Sequence, residues 1–99
     1  MRTVFSAQAR QALRGIALYI ARDNRGRALS FVQEMRGAAE RIADSPRAFA
    51  LVPRYEQFGI RRRPFGAYLI FYRVEQDRVV IVDILHSARD YEPLLFPSG

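Results

Sequence analysis

The sequence predicts an α+β domain: an N-terminal strand, then an antiparallel helical hairpin packed on one face of a mostly antiparallel sheet of three to four strands. Three observations predict it. Apolar residues recur twice at helical spacing before Pro46. Two runs rich in aromatic and β-branched residues, AYLIFYRV (67–74) and RVVIVDIL (78–85), follow Gly59. The tetrapeptide EQDR joins those runs as a short charged turn, so they form a hairpin.

Taken in order, RTVF (2–5) alternates polar and apolar side chains, as a short strand does. Ser6 is placed to cap a helix expected over 7–22, in which Leu13, Ile16, Ala17 and Ile20 fall at i, i+3, i+4 and i+7 while Arg10, Arg14 and Arg22 lie off the stripe. DNRG breaks it, and Asn24 caps a second helix carrying Ala28, Phe31, Val32, Met35, Ala39 and Ile42 until DSP stops it at Pro46. The stretch 46–59 has two prolines and no sustained period, so it reads as a connector. IRRRPF (60–65) contains Pro64, which cannot donate to a ladder, and is therefore expected at a sheet edge or a bulge. The apolar tail, with Leu94, Leu95 and Phe96, is short enough to dock as one helical turn or stay loose until bound.

If the hairpin is symmetric about Gln76 and Asp77, Arg73 faces Val80. Uninterrupted pleating then places Leu69, Phe71, Val82, Ile84 and His86 on one face and Tyr68, Ile70, Tyr72, Ile81, Asp83 and Leu85 on the other. Neither face is polar enough for water, and two helices cover only one. The second therefore requires the tail, another chain, or both.

The bulk properties bound the function. Ninety-nine residues, about half of them apolar, fit a single domain over 1–99. The chain has no cysteine and one histidine, so thiolate chemistry and a zinc site are not expected, and no cofactor is implied. No window is apolar enough to span a membrane, no secretory signal is recognisable, and a cytoplasmic location follows as the default expectation. All sixteen basic residues are arginine, and the formal charge of +6 favours an anionic partner: nucleic acid, the ribosome or an acidic protein.

The order of elements, together with YIARDN (19–24), AYLIFYRV and ILHSARD (84–90), resembles the RelE/ParE superfamily of bacterial type II toxins, most closely its ParE branch, from Arg2 to about Asp90. The resemblance implies a toxin neutralised by a cognate acidic antitoxin of the ParD kind, whose ribbon-helix-helix domain binds operator DNA and whose continuation wraps the toxin. For ParE-like toxins it implies DNA gyrase as the target, poisoned by stabilising cleaved DNA. For RelE-like toxins it implies cleavage of messenger RNA on the ribosome. A third class is a regulatory subunit that binds antitoxin without being toxic.

Expected roles follow. Arg61, Arg63, Arg89, Tyr91, Leu94, Leu95 and Phe96 are assigned to the target. Arg10, Arg14, Arg22, Tyr68 and Tyr72 are assigned to an antitoxin lying along the helical hairpin and the open sheet edge. His86 and Asp90 are assigned to a clasp in which Asp90 accepts from backbone N–H groups or Arg89 and His86 bonds a carbonyl. A ribonuclease would instead use His86 as acid or base, Arg61, Arg63, Arg73 and Arg89 as charge stabilisers and Tyr91 in support. Arginine shuttles protons poorly, however, and RelE-like sites lean on lysine, which is absent here.

Overall fold

A computed structural model describes residues 1–97. The elements are β1 (Arg2–Phe5), α1 (Ala7–Ala21), α2 (Arg25–Ile42), β2 (Ile60–Phe65), β3 (Tyr68–Glu75), β4 (Arg78–His86) and a final helical turn α3 (Glu92–Leu95). The strands form one sheet in the order β1-β4-β3-β2, with β1 parallel to β4 and the other pairs antiparallel.

Both helices start where side chains supply caps. Ser6 Oγ accepts from Ala9 N–H at 3.0 Å, and Asn24 Oδ1 accepts from Arg27 N–H at 2.9 Å, each satisfying a donor that the first turn leaves orphaned. Ser6 has a second duty, since its hydroxyl donates to Val82 O at 3.0 Å and so ties the head of α1 to β4. The inward stripe of α1 is Ala9, Ala12, Leu13, Ile16 and Ile20. It meets Phe31, Met35, Ala38, Ala39 and Ile42 of α2 over Ile70, Tyr72, Val79, Ile81 and Ile84 of the sheet.

The hairpin register is the expected one up to Arg73 opposite Val80, but the pleat is interrupted. Tyr72 pairs with Ile81 while Phe71 pairs with Asp83, so Val82 is an extra residue in β4. Beyond it the faces of β4 exchange. Ile84 packs under the helices with Ile70, and Leu85 turns to the opposite side with Leu69 and Phe71. The uninterrupted alternation expected from sequence is thus corrected for residues 83–86, because a bulge leaves no length signal in a run of apolar residues.

The second face is closed from within. Val52 and Tyr55 of the connector and Tyr91, Leu95 and Phe96 of the tail cover Leu69, Phe71 and Leu85. The connector also pairs with the β2 edge through Leu51 opposite Arg61, and Val52 N–H donates to Ile60 O at 2.9 Å. The tail is held by the stack of Phe96 on Tyr55, with centroids 4.1 Å apart, and by the Arg54–Glu92 ion pair at 3.1 Å. Of the two coverings expected for this face, the tail is the one observed, aided by a connector whose lack of periodicity gave no sign of that role.

Candidate functional site

Three surfaces carry the residues of interest. The first lies outside the helical hairpin, where Arg14, Ala17, Leu18, Ala21, Arg25, Ala28, Leu29 and Val32 line a groove of about 350 Å³. Leu18 and Leu29 are 63% and 69% exposed on its rims, beyond what either helix needs for its own packing. Its floor is small because Ala17, Ala21 and Ala28 let the helices approach, and Arg14 and Arg25 flank it. Neither helix has an acidic residue in its first turn, and α2 opens with Arg25 and Arg27. Cations at the positive end of a helix dipole are unfavourable, and here Asp23 in the turn and Glu34, paired with Arg27 at 3.0 Å, offset part of the charge while Arg25 has no ion pair among the described residues.

The second surface is a groove of about 400 Å³ between α1 and the end of β4, lined among others by Gln8, Gln11, Gly15, Tyr19, Tyr68, Asp83, His86 and Arg89. Asp83 is the only buried charged residue among those described, 6% exposed, and its Oδ1 accepts from Ile84 N–H at 2.8 Å. Burial pushes its carboxyl above the usual carboxylate range, against the opposing effects of that N–H and the Arg89 charge. The bulge moves Asp83 from the side of Tyr72 and Ile81, where uninterrupted pleating puts it, to that of Phe71 and Leu85, so its surroundings could not be read from sequence. His86 stands edge-on to Tyr68, with centroids 5.5 Å apart, and its Nδ1 accepts from Ala88 N–H at 3.1 Å. The bonded group is thus an amide and not the carbonyl expected. The turn is further held by Ser87 N–H on Ala67 O and Arg89 N–H on His86 O, while Asp90 makes no side-chain hydrogen bond among the described residues.

The third surface is the tail. Of the residues assigned to a target, Tyr91, Leu95 and Phe96 are half-buried against the second core and its connector, and Arg89 and Leu94 are exposed, Leu94 by 47%. Tyr91 packs on Phe71 and its hydroxyl accepts from Arg62 Nη1 at 2.7 Å. Arg61 and Arg63 lie on the opposite face. Arg61 donates to Phe49 O at 2.7 Å, and Arg63 bonds Pro64 O and covers the rings of Phe49 and Phe65. The seven residues therefore do not form one patch.

The set assigned to an antitoxin is also divided. Arg10, Arg14 and Arg22 are exposed on α1, Tyr68 borders the second groove, and Tyr72 is wholly buried. Tyr72 is corrected from a surface residue to a core residue whose hydroxyl donates to Pro46 O at 2.7 Å, and burial raises its pKa against the nearby Arg61 charge. The groups a nuclease would use are apart as well. Arg73 is paired with Glu75 at 2.6 Å and lies five residues along β3 from Tyr68, the partner of His86, a separation of about 17 Å at strand rise. The two arginines Arg73 and Arg78 donate to Glu75 and hold its carboxyl below the usual range.

No curated protein matches the chain at a significant level. Among solved structures it is similar to a chain of the chromosomal ParDE TA system from P. aeruginosa, with a TM-score of 0.71 and 18% identity over 87% of this chain and 95% of that one. The family described as the ParE toxin of type II toxin-antitoxin system, parDE, matches residues 3–91. That match takes in the whole sheet but for Arg2, both long helices and the turn after His86, and on it the chain belongs to the ParE toxin family.

Proposed function

We propose that this ParE-family chain is held inactive by an acidic antitoxin whose amphipathic helix lies in the outer groove of the hairpin, and that the freed chain inhibits DNA gyrase by stabilising cleaved DNA. The observation that carries the first half is the groove itself: an apolar channel with Leu18 and Leu29 on its rims, flanked by Arg14 and by Arg25 at the start of α2. An acidic amphipathic helix matches both properties, burying leucines along one stripe and pairing carboxylates with the flanking arginines. Arg10 and Arg22 extend the same positive surface along α1. Family membership supports the gyrase half, with Arg89 and Leu94 the outward-facing candidates for contact. A messenger RNA endonuclease gains no support, because His86, Arg73 and Tyr91 do not converge. The antitoxin, through a ribbon-helix-helix domain of its own, would bring the pair to operator DNA.

The test is purified chain with supercoiled plasmid, gyrase and ATP. Accumulation of linear DNA after protein digestion is the expected result, and unchanged supercoiling with no cleaved product overturns the gyrase reading. Leu18→Glu with Leu29→Glu should leave that activity intact and weaken neutralisation by an acidic partner at least tenfold.

A further inference from the structure

The edge of the sheet is unfinished beside the second groove. β1 pairs with β4 only from Arg78 to Ile81, after which Ser6 N–H closes on Ile81 O at 2.9 Å and the chain leaves as α1. Past the bulge, Ser87 N–H goes to Ala67 O beside β3, so the odd-numbered residues of this stretch face β3 and the backbone groups of Ile84 and His86 face outward. Asp83 occupies Ile84 N–H, and Arg89 N–H occupies His86 O. What remains is Ile84 C=O and His86 N–H, with no strand beside them among the described residues. In a parallel ladder one residue of the neighbour donates to one such carbonyl and accepts from the N–H two residues on. A strand running parallel to β4, as β1 does, meets both groups with a single residue placed opposite Leu85.

We propose that this groove takes an extended acidic segment of the antitoxin, added parallel to β4 beside Ile84–His86. The inference rests on the toxin–antitoxin reading above and concerns a surface separate from the hairpin's outer groove. Acidity follows from the charges that face an incoming chain. Arg89 is exposed and makes no ion pair among the described residues, whereas Asp83, the one carboxylate among the lining residues, is buried and turned to its own backbone. Apolar side chains alternating with the acidic ones would settle against Ile16, Tyr19 and Tyr68. Gly15 leaves the groove open, since a Cβ there would meet nothing within 4 Å.

The experiment is amide-resolved NMR of the full chain titrated with the capped pentapeptide Glu-Val-Glu-Val-Glu, its fully N-methylated analogue and a version with lysine for glutamate. The first peptide should shift the His86 amide and slow its hydrogen exchange at least tenfold at saturation. The N-methylated peptide should fail, and the lysine version should bind at least fivefold more weakly. Gly15→Leu should keep the native spectrum and abolish binding. Equal binding by the N-methylated peptide, indifference to Gly15→Leu, or shifts confined to Leu18 and Leu29 would each overturn the proposal. Plasmid cleavage by gyrase reads the earlier proposal and is unaffected by any of these outcomes.

Discussion

A single carboxylate shows how local geometry sets the pH response of this chain. Asp83 is neutralised more readily in the fold than in the open chain, because burial outweighs the Ile84 N–H and the Arg89 charge. A raised carboxyl pKa means the native state binds the proton more tightly, so stability falls as pH rises from the unfolded value through the folded one, and the loss is complete above it. Asp83→Asn keeps an oxygen for Ile84 N–H and removes the charge. It should therefore raise the urea midpoint at pH 7, with the advantage over wild type shrinking in acid below the ordinary aspartate range. An equal advantage at both pH values would show that the charge is not the cause. Residue identity made His86 conspicuous in the sequence because it is unique. Asp83 was inconspicuous, since the face it shares depends on one additional residue in a strand of look-alike aliphatics, and periodicity cannot count that residue.

Elements that carry their own boundary chemistry were legible. Ser6 and Asn24 cap as their types suggest, and the charged EQDR turn pins the register at Arg73 and Val80. The connector was not legible, since its contribution comes from isolated residues such as Val52 and Tyr55 docking on β-strands distant in sequence. Ser6 joins two elements, capping α1 and bonding Val82 O at the bulge. Ser6→Ala should lower stability by about 1–2 kcal/mol, a cap plus a neutral hydrogen bond, as measured by urea unfolding. Ser6→Thr should recover most of it. A cost of only a few tenths would mean the bulge is held by packing alone.

Across the whole molecule, the second sheet face is covered by the tail, one of the coverings expected for it, together with the connector, so it needs no partner to close it. The apolar excess sits on the hairpin's outer groove, whose exposed Leu18 and Leu29 lie off the helical stripes read from sequence and so were not singled out there. The closure of the second face rests on the tail. Replacing Tyr91 and Phe96 together by alanine removes two half-buried rings, one on Phe71 and one on Tyr55, and should cost about 3 kcal/mol with increased binding of a hydrophobic dye. An unchanged unfolding midpoint would show that the tail adds nothing to the fold.

The pairing of Arg2–Phe5 with Arg78–Ile81 has a consequence for biosynthesis. Arg2–Phe5 can meet α2 early, as where Thr3 Oγ1 donates to Ala39 O at 3.1 Å, but it has no strand partner until Arg78–Ile81 has been made, and such long loop closure is slow. The sheet of this chain is therefore completed late, only once β4 has emerged to join the first strand to the rest.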